Sequence, residues 1–289
     1  MFSYDDYTFK RYWREYLIAT LLLANIVVWL AIYQHRSGPL KVYFFDIGQG
    51  DAIFVDTPSH KHLLLDGGPN KRVMSELGKV LPFGNRSIDV VIESHPDKDH
   101  IGGLPEVLDR YKVGIFLEPG VESENTIDDA LHARVRAKSI PNLLARRGMV
   151  VNFGDGVRLE ILFPNQDVSR WETNDASIVA KLTYGTQSFL LTGDSPIKVE
   201  NILLKLDPKS LDSDVLKAGH HGSRTSTSLA YAQAVSPAYA VISAGKDNTY
   251  GHPHKEVLDI LNKVGSKIVS TIDSGTIIFE TDGKTLRPK

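Results

Sequence analysis

The chain has no cysteine. Disulfides, thiolate nucleophiles and cysteine-type zinc sites are therefore excluded, and any metal must be held by histidine and carboxylate. An excess of charge is missing as well: the formal net charge is −2 over 289 residues. Composition therefore makes no case for a nucleic-acid surface and none against a local basic groove. Internal repeats and low-complexity tracts are absent too. What remains is a chain with 42% hydrophobic residues, enough for one large α/β core with an appendage.

The appendage is N-terminal. From Tyr16 to Tyr33 the run "YLIATLLLANIVVWLAIY" carries no charge, and its length approaches the ~20 residues a helix needs to cross a bilayer. Aromatic residues flank it: Tyr12, Trp13 and Tyr16 on one side, Trp29 and Tyr33 on the other. The run is longer than the ~7–15 residues of a signal-peptide core. This predicts a single membrane span at about 16–33 within an N-terminal segment 1–36, followed by one large domain, 37–289. Lys10, Arg11 and Arg14 precede the run and Arg36 and Lys41 follow it, a bias that places the large domain outside the cytoplasm.

Beyond the linker "QHRSGPL" the pattern alternates. "KVYFFDI", "DAIFVDT" and "HLLLDGG" read as a meander of strands separated by turn residues. "IDVVIES" (88–94) is apolar throughout, as in a strand buried on both faces, and delivers Ser94 and His95 at its carboxyl end. Further strands are expected at 113–117, 157–163, 177–184, 188–192, 214–218 and 239–243. Helices are expected at 73–80, 104–110, 127–138, 196–206, 229–235 and 255–264. "SENTIDDALHARVRAKS" reads as a solvated helix on an insertion. Together these predict a layered α/β sandwich.

"SHPDKDHIGG", Ser94–Gly103, puts two histidines and two aspartates into six consecutive positions. His95, Asp97, Asp99 and His100 would converge above the sheet, where two carboxylates repel unless a cation joins them. Four such donors exceed what one tetrahedral ion takes from a single loop, which points to two ions. "FLLTGD" ends a strand with Asp194 and "VLKAGHHGS" ends another with His220 and His221, again at carboxyl ends of strands. Asp194 would bridge the ions and His220 would be a terminal ligand, with His221 either a ligand or a supporting group.

These segments resemble the metallo-β-lactamase superfamily, whose H-x-[HD]-x-D-H signature "HPDKDH" matches. "FFDIGQGDAIFVDTP", "LLLDGGP", "NDASIVAKLTYGTQSFLLTGD", "LKAGHHGS" and "NTYGHPH" follow the order of the extracytoplasmic hydrolase domain of ComEC-type competence proteins, over roughly 42–280. The resemblance implies a four-layer αββα metallo-β-lactamase sandwich and a metal-dependent hydrolase. It differs in two ways. One span leaves no room for a pore, so a DNA-uptake channel would be a separate protein. The superfamily's third-motif histidine also has no counterpart, the region before "SIVAKLTYG" offering Asn174 and Asp175. The centre is thus oxygen-rich, suited to two divalent ions, Zn²⁺ or Mn²⁺ with Mg²⁺ compatible, and the ion on His95 and Asp97 is expected to be the weaker.

Asp99 and His252 are the catalytic candidates, His252 lying in a segment that lines the site in the resembled family and being placed to protonate a leaving oxygen or contact phosphate. Asp66 would orient a ligand histidine, or else simply end a strand. Ser223 and Arg224 precede a helix whose N-terminus would accept phosphate, or else serve as its cap. Asp51, Gln49, Lys98, Asn174, His221 and His254 complete the supporting or substrate-facing set. The expected activity is a membrane-anchored phosphodiesterase or nuclease acting on DNA outside the cytoplasm. Alternatives are a hydrolase of another extracellular phosphoester, such as a phosphorylcholine ester, and a metal-binding module without catalysis.

Overall fold

The computed structural model describes residues 4–34, 38–82 and 84–289, and divides into two units, 1–38 and 39–289. The expected boundary at 36/37 and residues 35–37 of the expected linker lie outside the described residues. The first unit holds one helix, α1 (Tyr4–Gln34). Among the described residues no helix is long and apolar enough to cross a membrane. This overturns the expected single-pass anchor and removes the ground for placing the large domain outside the cytoplasm.

The second unit is built in four layers. In chain order its elements are β1 (Leu40–Phe44), β2 (Ile53–Asp56), β3 (His62–Leu65), α2 (Arg72–Val80), β4 (Ser87–Ile92), α3 (Lys98–Ile101), α4 (Leu104–Arg110), β5 (Lys112–Glu118), α5 (Thr126–Ala137) and β6 (Asn142–Leu144). There follow β7 (Val150–Asn152), β8 (Val157–Phe163), β9 (Val179–Tyr184), β10 (Gln187–Leu191), α6 (Ile197–Leu206), β11 (Val215–Lys217), α7 (Leu229–Val235), β12 (Tyr239–Ile242), α8 (Lys255–Lys263), β13 (Lys267–Ser270), α9 (Thr271–Ser274), β14 (Ile277–Thr281) and β15 (Leu286–Pro288).

The strands form two sheets, in the orders β15-β14-β1-β2-β3-β4-β5-β6 and β13-β12-β11-β10-β9-β8-β7. Each is antiparallel on one side and parallel on the other: β3 to β6 run parallel in the first, β10 to β13 in the second. Alternation along the strands sorts the side chains between layers. Leu63, Leu65, Val90 and Ile92 pack between the sheets against Ala180, Leu182, Phe189 and Leu191. Leu64, Val91 and Phe116 point the other way, onto α2, α4 and α5, while Leu190, Leu216 and Ile242 meet α6, α7 and α8. The helix expected to be a solvated insertion is α5, and it is part of this packing. Leu131 and Val135 are buried, and Asn125 caps its start by accepting the Ile127 N–H at 3.0 Å.

Candidate metal centre

The carboxyl ends of both parallel halves bring the expected donors together. Asp66 follows β3, the "SHPDKDH" loop follows β4, Asp194 follows β10, His220 and His221 follow β11, and His252 lies beyond β12. His100 Nε2 is 3.4 Å from Asp194 and 4.0 Å from Asp99. His221 Nε2 is 3.3 Å from each of the same two carboxylates. His220 Nε2 stands 3.6 Å from Asp194, and His95 Nε2 3.6 Å from Asp97. Asp194 is thus shared by three histidines. His221, expected either as a ligand or as a supporting group, stands among the donors themselves.

Each imidazole is held from behind. Asp66 accepts the Ser94 N–H (2.8 Å), the Ser94 hydroxyl (2.7 Å) and His100 Nδ1 (2.7 Å). His95 Nδ1 donates to Ser94 Oγ at 3.0 Å, since that hydroxyl already gives its proton to Asp66. His221 Nδ1 donates to the Ser243 carbonyl at 2.9 Å. His220 Nδ1 donates to Thr225 Oγ1 at 3.2 Å, the Thr225 hydroxyl proton going to Ser223 Oγ. The network assigns one tautomer to all four rings, with the Nε2 lone pair turned inward. Asp66 therefore supports two histidines, besides ending its strand in a left-handed conformation (φ 62°).

The residues fit a pair of divalent cations, on the evidence of what is left bare. The buried Nε2 atoms of His95, His100 and His221 and the buried Asp194 Oδ1 have no hydrogen-bond partner. A buried polar atom without a partner costs ~1–3 kcal/mol, a penalty a shared cation removes. One group is Asp99, His100, Asp194 and His221. A second ion would draw on His95, Asp97 and Asp194, with His220 beside it. Burial opposes charge on Asp194, but His221 and His100 hold it well below the usual carboxylate range. Burial also opposes charge on His221, yet Asp194 and Asp51 push its pKa up to about 9. The surroundings favour positive charge at this point.

The backbone is bent to make this possible. His220 and His221 occupy the left-handed region, at φ 48° and 56°, uncommon for non-glycine residues and a feature of sites that set side chains under constraint. Gly50, at φ +120°, runs so close under the metal loop that an added Cβ would lie 2.0 Å from the Asp99 carbonyl oxygen. Behind His221, Asp51 forms a fully buried ion pair with Lys217, 2.6 Å long. It joins the first sheet's loop to the second sheet's β11. Asp51 therefore faces away from the cleft. Lys217 escaped the sequence reading because it looks like any strand lysine.

Other expected residues fall elsewhere. The Arg224 guanidinium reaches His254 Nε2 at 3.1 Å, pairing the two with each other. Ser223 Oγ accepts the Thr225 N–H and hydroxyl, closing its own turn. At the start of α7 the Glu200 carboxylate accepts the Thr227 and Ser228 N–H groups and Ser228 Oγ accepts the Tyr231 N–H, so this end is capped from within the chain. Asn174 lies in a 3-10 turn, and its buried Oδ1 lacks a partner. Asp175 is tied to Lys198.

His252 does overhang the centre. It is buried, 5.5 Å from His220 ring to ring, and burial and the neighbouring histidines push its pKa down to about 4. The exposed Tyr250 stacks on it at 5.6 Å. Gln49, Asp97, Asp99, Asp194, His220, His221, Tyr250 and His252 line a cleft of about 180 Å³. Through Gln49, Asp99 and Tyr250 it continues into a groove of about 490 Å³ that carries Lys98 and Arg72.

Residues 45–246 match the metallo-beta-lactamase superfamily. The chain belongs to the metallo-β-lactamase superfamily. Its members are usually metal-dependent hydrolases. It is 32% identical to "ComE operon protein 3" of Bacillus subtilis (strain 168) over 93% of this chain and 37% of that protein. It is 32% identical to "Competence protein ComA" of Neisseria gonorrhoeae over 90% of this chain and 35% of that protein. The chain therefore spans little more than a third of these curated relatives. Among solved structures, the metallo-β-lactamase fold protein YhfI of Bacillus subtilis superposes with a TM-score of 0.55, at 14% identity, covering 84% of this chain and all (100%) of that one. It supports the expected sandwich. The resemblance to competence proteins rests on most of the length of this metallo-β-lactamase-fold chain.

Proposed function

We propose that the chain is a metal-dependent phosphodiesterase that cleaves DNA. One observation carries this reading. Three imidazoles, those of His95, His100 and His221, turn bare Nε2 atoms toward carboxylates at the floor of a cleft, and that cleft opens into a groove with cationic and aromatic side chains. A pair of divalent cations, when bound, would activate water and neutralise charge developing on a phosphodiester.

The chain's own residues do the rest. Asp99, His100, Asp194 and His221 would hold one ion, and His95, Asp97 and Asp194, with His220, would hold the other. His252, its ring fixed between His220 and Tyr250, is placed to hydrogen-bond a phosphoryl or leaving oxygen. Tyr250, 66% exposed, offers a face on which a base can stack, while Lys98 and Arg72 follow the phosphates. DNA as the substrate, with a DNA-uptake channel as the working partner, is our reading beside a relative whose name speaks of competence.

The test is incubation of the full chain with Mn²⁺ or Zn²⁺ and single- or double-stranded DNA. Cleavage is expected, with its loss in Asp99→Asn. Turnover of a chromogenic phosphodiester but never of DNA would move the reading to another phosphoester, and stoichiometric metal without any hydrolysis would reduce it to a binding module.

A further inference from the structure

A second cluster stands apart from these donors, at the carboxyl ends of β4 and β5 under α5. Glu93 follows β4, Glu118 ends β5, and Asp128 and His132 lie one turn apart on α5. His132 Nε2 is 3.1 Å from Asp128 Oδ1, 3.3 Å from Glu118 Oε2 and 4.0 Å from Glu93 Oε2. Two donors on one divalent ion, bound at ~2.0–2.2 Å, stand about 3–4.4 Å apart at tetrahedral to octahedral angles. The three separations fall in that range. They also match the 3.3–4.0 Å spacings of the centre described above.

The second observation is what the carboxylates lack. Glu93 is 2% exposed, and its Oε2, aimed into the cluster, has no hydrogen-bond partner. Asp128, 7% exposed, has an Oδ1 in the same condition. Glu118 is oriented by the Asn142 amide on its other oxygen, which leaves Oε2 turned inward. Three carboxylates around one imidazole, two of them buried, repel one another unless positive charge is shared among them.

We propose that Glu93, Glu118, Asp128 and His132 bind a third divalent cation, structural in role, and that three oxygens with one nitrogen suit Mn²⁺ or Zn²⁺. It would pin α5 to the ends of β4 and β5, directly ahead of the loop that carries His95. The Asn125 side-chain amide already ties the start of α5 to that loop, donating to the Pro96 carbonyl at 2.9 Å. The ion would thus stiffen the support of the metal loop from behind. This inference is independent of any substrate.

The experiment starts from the full chain carrying Asp99→Asn and Asp194→Asn, which disables the shared carboxylates of the main centre. Loaded with Mn²⁺ and freed of excess, it is expected to retain one ion per chain by elemental analysis and to melt at a higher temperature with Mn²⁺ than with chelator. Adding Glu93→Gln should remove both the ion and the Mn²⁺-dependent rise in Tm. Because Glu93→Gln alters a buried site, His132→Ala is read beside it, at the more exposed corner of the cluster. A parent that keeps no ion shows that the carboxylates share a proton instead and overturns the proposal. So does an ion that survives whichever of the two substitutions folds.

Discussion

The two sheets supply the centre in opposite ways. The first hands over its ligands in one burst, His95, Asp97, Asp99 and His100 on a single loop, each histidine braced through Asp66 and Ser94. The second assembles its share from separate strand ends, and holds its histidines by main-chain geometry, a carbonyl and one threonine. The contrast teaches that a dense motif carries its own supports, whereas a dispersed one borrows them from the fold. Two of the points at which the halves meet are Asp194, reached by histidines of both, and the buried Lys217–Asp51 pair.

The largest effect should come from cutting the first of these joints. Asp194→Asn removes the carboxylate common to both positions, so hydrolysis should fall to background and the ions of the centre should be lost together. Metal content and single-turnover cleavage check this. A variant that keeps one of those ions at full occupancy would show that the two halves bind independently.

Next is the second joint. Lys217→Met leaves Asp51 buried without its partner, and breaking a buried pair from one side costs ~3–5 kcal/mol. A lowered midpoint in urea denaturation is expected. Lys217→Met with Asp51→Leu should recover much of that loss, because an apolar pair of similar volume replaces two buried charges. Recovery of stability without recovery of metal binding would show that Asp51 also helps set His221, whose Nδ1 lies 3.7 Å away.

How much was legible follows the same division. The first sheet's half could be read in full, because His95, Asp97, Asp99, His100 and Asp66 sit beside strand-end punctuation that any α/β sheet would turn into a loop. The meander of β1, β2 and β3 and the major helices were legible from periodicity. From the second half, Asp194 and His220 could be listed as donors, but His221 stayed open between ligand and supporting group. Its placing depends on a left-handed backbone at two successive histidines, for which local propensity gives no signal. Lys217 and Ser243 were invisible for a similar reason: their role is fixed by what lies across the sandwich. Ser223, Arg224 and His254 stayed open because a polar run before a helix reads alike whether it binds a ligand or, as here, closes its own turn and pairs within itself. The cluster under α5 was missed because Glu93, Glu118 and the Asp128–His132 pair are far apart in sequence, and because "DDALH" reads as solvated until β4 and β5 are packed beneath it.

The smallest expected effect sharpens the comparison from its weaker side. Asp66→Asn, in the first half, withdraws a charged acceptor from both Ser94 and His100, and loss of such an outer support typically costs ~10–100-fold in metal affinity. Thr225→Val, in the second half, removes only a neutral acceptor from His220 Nδ1, a bond worth ~0.5–1.5 kcal/mol. His220 also keeps its position through the left-handed backbone and through its N–H, which donates to the Gly193 carbonyl at 3.3 Å. Its ring should therefore stay near Asp194. Titration of Mn²⁺ against the two variants should give a large loss for Asp66→Asn and less than about tenfold for Thr225→Val. Equal losses would mean that side-chain bracing matters as much where the backbone already fixes the ring, and the contrast between the halves would be one of sequence spacing alone.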